Sequence, residues 1–160
     1  MVRSHFEALL APSVASELSL KMARYRIDDH FPRRLWFEFH GVEVFRAGDH
    51  SKWPHLGWHP GSYELVVLPI DSPYPEQLIY RCYYAAEACE ALIRDYPNLS
   101  IDQALHHPEE FVRGLAMLDR RIGRRRIASA AASFKDRLVE SFFFRIRTAA
   151  DRTFQTTPTT

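Results

Sequence analysis

Residues 34–45, RLWFEFHGVEVF, narrow the fold of this chain more than any other stretch. Leu35, Phe37 and Phe39 alternate with Trp36 and Glu38, the period-two pattern that sends one row of side chains to a core and the next to water. Gly41 falls where a tight turn needs a residue tolerant of positive φ, and residues 42–45 resume an extended run. The stretch predicts a β-hairpin. A lone hairpin is marginal in water, so this one needs further strands or helices against its apolar row.

The rest of the chain supplies both. Upstream, Leu18, Leu20 and Met22 alternate with Ser19, Lys21 and Ala23, and Tyr25 and Ile27 follow. This predicts a first strand over 18–27 and a polar turn over 28–32. Downstream, residues 63–70 (YELVVLPI) predict a fourth strand, with Pro69 suited only to its edge or end. From residue 71 the pattern turns helical. Pro75 suits a first turn. Leu78, Ile79, Cys82, Tyr83, Ala86, Cys89, Ile93 and Tyr96 trace one long apolar stripe, which Pro97 and Asn98 end. Ser100 and Gln103 predict a capping box on a short helix ending near His106. Pro108, Glu109 and Glu110 open a helix that buries Phe111, Leu115, Leu118 and Ile122. Ser133 and Asp136 predict a second capping box, for a final helix with Leu138, Val139, Phe142, Phe143 and Ile146 on its apolar side. Residues 2–10 read as a short amphipathic helix interrupted at Pro12 and Ser13, and 155–160 as a polar tail.

Strands precede helices, so the expected fold is α+β: an N-terminal antiparallel sheet of three or four strands, then a helical C-terminal half packed on one face. At 160 residues the chain reads as a single domain, strand-rich over 18–70 and helical over 73–152. A doubly wound nucleotide fold is unexpected, because strand and helix do not alternate. The run 1–20 is too interrupted by charge for a signal peptide, and no stretch reaches the roughly twenty apolar residues that span a bilayer. These features predict a cytoplasmic protein with no membrane partner. Cys82 and Cys89, seven apart on the expected helix, are too distant for a disulfide and read as buried thiols.

The densest chemistry lies in residues 115–127, LAMLDRRIGRRRI. Arg120, Arg121, Arg124, Arg125 and Arg126 crowd its end around Gly123, with no acid after Asp119. Read as one helix, the segment carries its arginines in the last turn, where they complement the helix dipole, with Gly123 as a left-handed cap. Guanidinium forks suit phosphate and carboxylate, so the cluster is a candidate anion surface for nucleic acid, a phosphorylated ligand or an acidic protein. The plainer alternative is a solvated helix end, with arginines paired to Asp119, Glu110 or Glu140 and Asp119 anchoring the turn. The net charge of +1 provides no global field, so any electrostatic binding must be local.

Residues 46–61, RAGDHSKWPHLGWHPG, lack periodicity and predict a long loop. Trp53 and Trp58 are candidate anchors for a protein partner, and with Trp36 candidate stacking platforms for single strands. Asp49, His50, His55 and His59 are chemically able to hold zinc, but spacings of five and four in a Pro/Gly-rich loop match no metal motif. There is no nucleophile elbow, phosphate loop or cofactor fingerprint, so neither cofactor nor metal is expected. His106 and His107 sit beside Glu109 and Glu110 at a helix start, where such residues cap.

Three segments together resemble a family of small uncharacterised bacterial proteins marked by an LDRRxGKR-type segment before a C-terminal helix. They are residues 24–26 (RYR) with the extended run ending in HGVEVF, residues 115–127, and residues 138–151 (LVESFFFRIRTAAD). Asp119, Arg120, Arg121, Gly123, Arg124 and Arg125 stand at the hallmark positions, with Arg124 where that pattern has Lys. The resemblance implies a cytoplasmic bacterial domain without a settled activity. The expected function is non-catalytic binding of another macromolecule, a protein of the immunity or accessory kind first. A nucleic-acid module using the arginines on phosphates comes second, and an enzyme sited at the His/Trp loop third.

Overall fold

The computed structural model describes residues 2–24, 26, 33–48, 63–66, 79–82, 86–134 and 138–156. They sort into two compact units. One is Ser19–Leu92; the other joins Met1–Leu18 to Ile93–Thr160. The fold class is α+β: two short helices come first, then the strands, then the remaining helices.

The sheet unit is built on the hairpin. Strand β1 is Leu18–Arg24, β2 is Arg33–Phe39 and β3 is Val42–Gly48. His40 and Gly41 both have positive φ (51° and 77°), the requirement of a two-residue turn whose twist matches its strands. Leu35, Phe37 and Phe39 are buried, while Trp36 and Glu38 are half-exposed, as the alternation predicts. The pairing holds one irregularity. Phe37 faces Phe45 and Glu38 faces Glu43, which leaves Val44 as an extra residue. This bulge is why the neighbours Val44 and Phe45 are both buried, against simple alternation. The Phe37 and Phe45 rings meet edge to face at 5.5 Å.

Two further strands complete the sheet: β4, Tyr63–Val66, and β5, Ile79–Cys82. The order is β1-β2-β3-β5-β4. β5 corrects the sequence reading, which placed Ile79 and Cys82 on a long helix. Helix α3 is Ala86–Asp95. Four residues containing Ile and Tyr fit either period, and the open edge of β3 settles the matter by pairing with them. β5 runs parallel to β3 and antiparallel to β4, so the sheet is not purely antiparallel, and among the described residues it has five strands. The two cysteines therefore lie on different elements. Cys89, on α3, is a fully buried thiol.

The helical unit begins with α1 (Val2–Glu7) and α2 (Pro12–Ala15). Pro12 opens α2 at its first turn, where its missing N–H costs nothing. After α3, a single 3-10 turn, Tyr96–Asn98, leads to α4 (Ile101–Leu105). The Ser100–Gln103 capping box forms in both directions. α5 is Glu110–Leu118, α6 is Arg124–Ala131 and α7 is Leu138–Thr156. α7 is the spine: Val139, Phe142, Phe143, Ile146 and Ala150 are buried. Residues 135–137, over which the predicted start and capping box fall, lie outside the described residues. The Ser133 hydroxyl donates to the Ala130 carbonyl and so closes α6, while Asp136 lies outside the described residues. α7 also takes in Gln155 and Thr156, read from sequence as tail.

α5 and α7 approach closely at Gly114, where a Cβ would lie 2.4 Å from Cδ2 of Phe143. A second stitch joins residues far apart in sequence. Leu10 and Asp119 form an antiparallel bridge, with Ala11 N–H donating to Leu118 O (2.9 Å) and Arg120 N–H to Leu9 O (2.8 Å). Among the described residues, no helix is long and apolar enough to cross a membrane.

Candidate functional site

The arginine segment is not one helix end. α5 stops at Leu118, and Asp119 is extended (φ −73°, ψ 136°) where it bridges to Leu10. A short turn follows, and a new helix, α6, begins at Arg124. Gly123 has φ −76°, so it is the residue before α6 and not a left-handed cap. The predicted placement of the arginines in a last turn is thereby corrected: Arg124, Arg125 and Arg126 occupy a first turn. The cause is the side chain at 119. A buried carboxylate that collects donors from the turn after it competes with continuation of α5.

Asp119 is 1% exposed and sits at the centre of a closed network. It accepts the Tyr96 hydroxyl (2.8 Å), the Arg121 backbone N–H (2.7 Å), and Arg121 Nε and Nη2 (3.0 and 2.7 Å). Arg121 Nη1 reaches back to the Leu99 carbonyl at 2.8 Å, and its guanidinium lies 5.7 Å from the centre of the Tyr96 ring. Burial, and next the Asp119 charge, raise the Tyr96 hydroxyl far above the ordinary phenol range, so it stays a donor. Two more arginines of this unit are tethered alike. Arg113 gives Nε to Glu140 (2.5 Å) and Nη1 to the carbonyls of His107 and Pro108 (2.6 and 2.8 Å). Arg147 pairs with Asp151 (3.1 Å) and points Nη1 at the carbonyls of Met117 and Asp119 (3.4 and 3.3 Å). Asp151 also takes the Ser13 hydroxyl.

Of the five arginines singled out by sequence, Arg121 thus belongs to the framework. Arg126 forms a surface pair with Asp102, both groups exposed, an arrangement that contributes little to stability. Arg120, Arg124 and Arg125 are exposed, and their guanidinium groups have no partner among the described residues. The first turn of α6 holds no acid and no side-chain cap. Three cations at the positive end of a helix oppose its dipole. Together they form a concentrated, uncompensated positive surface that can take carboxylate or phosphate oxygens on guanidinium forks.

The remaining candidates divide. Trp36 is engaged in the sheet unit: its Nε1–H donates to Glu38 (2.8 Å), and Arg34 lies over its ring at 4.4 Å. Trp53 and Trp58, and with them Asp49, His50, His55 and His59, lie outside the described residues. Among the described residues no cluster of His, Cys, Asp and Glu could hold a metal ion. His107 acts as expected at a helix start, its Nδ1 accepting the Glu109 N–H at 3.1 Å. Tyr96, Arg113 and Arg147 were missed as parts of this architecture. Tyr96 reads as the end of an apolar stripe, and nothing local links it to a carboxylate 23 residues on.

The family model described as the SF0329 protein family matches residues 1–148, and the chain belongs to that family. No curated protein and no solved structure matches it.

Proposed function

We propose that this is a non-catalytic bacterial protein that acts by binding an acidic surface of another protein, in the manner of an immunity or accessory factor. The observation that supports this reading is the pairing pattern of the arginines. Every tethered arginine has a carboxylate of its own chain, whereas Arg120, Arg124 and Arg125 project from the turn and first turn of α6 with none among the described residues. A fixed cationic surface costs stability at a helix start, and a partner's carboxylates would offset it. The knot at Asp119 holds that surface in place before any partner arrives, which lowers the cost of binding. Trp53 and Trp58 are proposed as aromatic anchors of the same interaction.

Nucleic acid is the second reading, favoured by the coincidence of guanidinium groups with the free N–H groups of a helix start, a geometry that suits phosphate. The near-zero net charge weighs against it as a general mode. One experiment orders the two. Fluorescent single-stranded RNA and duplex DNA are titrated at two salt concentrations with wild type and with an Arg120→Ala/Arg124→Ala/Arg125→Ala variant, and both proteins serve as bait for partner capture. The protein-partner reading expects a captured protein that the variant loses, with no tight nucleic-acid binding. Salt-steep binding of RNA or DNA that the variant abolishes would replace it with the second reading. Equal capture by both baits would remove the arginines from either.

A further inference from the structure

A cleft of about 210 Å³ opens in the sheet unit, between the end of β1, the start of β2 and the first turns of α3. Alternation decides which side chains serve it. Leu18, Leu20, Met22 and Arg24 lie in one row of β1, and Arg33 and Leu35 in one row of β2. Arg34 also lines the cleft, but its guanidinium is committed to Glu43 and the Trp36 ring. The cleft therefore has an apolar floor, with Leu35 (1% exposed) and Ala86 (2% exposed). Met22, also lining it, is 41% exposed, and a methionine in that position offers an adaptable apolar contact.

The charges are unequal. Arg33 is held by Glu90 at 3.1 Å and Glu87 at 4.0 Å, which fixes its direction. Arg24 lines the same cleft, is exposed, and has no carboxylate partner among the described residues. The lining thus holds one guanidinium paired to the Glu90 carboxylate and one uncompensated guanidinium, over a hydrophobic floor. The volume lies below the roughly 300–1,000 Å³ of drug-sized ligand pockets, which restricts the occupant to a small molecule.

We propose that this cleft binds a small oxyanion with a short apolar body, an aryl or short alkyl carboxylate or phosphate. Arg24 and Arg33 take the oxyanion, and Met22 and Leu35 contact the body. Its residues all belong to the sheet unit, and the arginines at α6 to the helical unit. Backbone amide spectra recorded during titration with benzoate, phenyl phosphate and phenol test it. Benzoate or phenyl phosphate moves the amides of Arg24, Leu35 and Glu90 in a saturable way, and neutral phenol does not. Arg24→Gln weakens that binding at least about tenfold, the factor for one charge-assisted hydrogen bond, with an otherwise unchanged spectrum. Arg125→Ala leaves it unaltered. The proposal is overturned if neither anion moves these amides, if phenol binds as well as the anions, or if Arg24→Gln binds them undiminished.

Discussion

Arg121 and Arg125 stand four residues apart in one basic run and have opposite fates. Arg121 meets a buried carboxylate, a tyrosine ring and a backbone carbonyl. Arg125 projects from the first turn of α6 with no partner among the described residues. The same division holds across the helical unit. Arg113, Arg121 and Arg147 each join a carboxylate to one or two carbonyls that lie near helix ends or turns. Such carbonyls lack intrahelical partners, and a guanidinium with five donors can satisfy them while remaining paired. A basic run is therefore not one object. The nearest buried acid claims one arginine for the fold and leaves the others for solvent or a ligand.

The largest test of this division is Asp119→Ala. It removes the acceptor of both Tyr96 and Arg121 and should destabilise the protein by about 3 kcal/mol in denaturant unfolding, near the low end for broken buried pairs because Arg121 can partly rehydrate. A loss within the error of a surface substitution would dissolve the distinction between tethered and free arginines. Gly114→Ala asks whether the tethers depend on the close approach of α5 and α7. A methyl group 2.4 Å from the Phe143 ring forces the helices apart, with an expected cost of about 1–3 kcal/mol, read the same way.

Tyr96→Phe is subtler, about 1 kcal/mol near neutral pH, since Asp119 keeps its Arg121 bonds. Its signature is alkaline. The Tyr96 hydroxyl is raised in the folded state, so above the unfolded value of about 10 the folded chain holds a proton that the unfolded chain releases. Stability is full below that pH and falls as pH rises through it. The variant should lose less stability than wild type over this alkaline limb, and parallel losses would refute the assignment. A final effect has the opposite sign. Arg124→Glu with Arg125→Glu puts acids at the first turn of α6 and should raise stability by about 0.3–1 kcal/mol per residue at low salt. Thermal unfolding that is unchanged or lowered would show that these arginines are held by contacts of their own.

Much of the fold is legible in the sequence where local rules act alone. Period-two alternation and Gly41 define the hairpin, and Ser100 with Gln103 define a cap, because each signal is contained within a few residues. Asp119 is also legible as the anchor of its turn. What local rules miss is decided at a distance. Ile79–Cys82 becomes a strand because β3 offers it an edge. Val44 joins the core because of a bulge whose register is set across the hairpin. The break between α5 and α6 follows from Tyr96 and Leu9–Ala11 meeting the 118–120 segment, contacts that no window of the sequence contains. The candidate site was legible as composition, five arginines around a glycine, but its division into framework and surface was not.

The bridge between Leu10 and Asp119 also bears on the order of events during synthesis. The helical unit is discontinuous, with the whole of Ser19–Leu92 emerging from the ribosome between its two parts. Leu9 and Ala11 must therefore wait, their ladder groups hydrated, until residues 118–120 have been made. The sheet unit can organise during that interval, whereas Leu9 and Ala11, made before it, find their place after it.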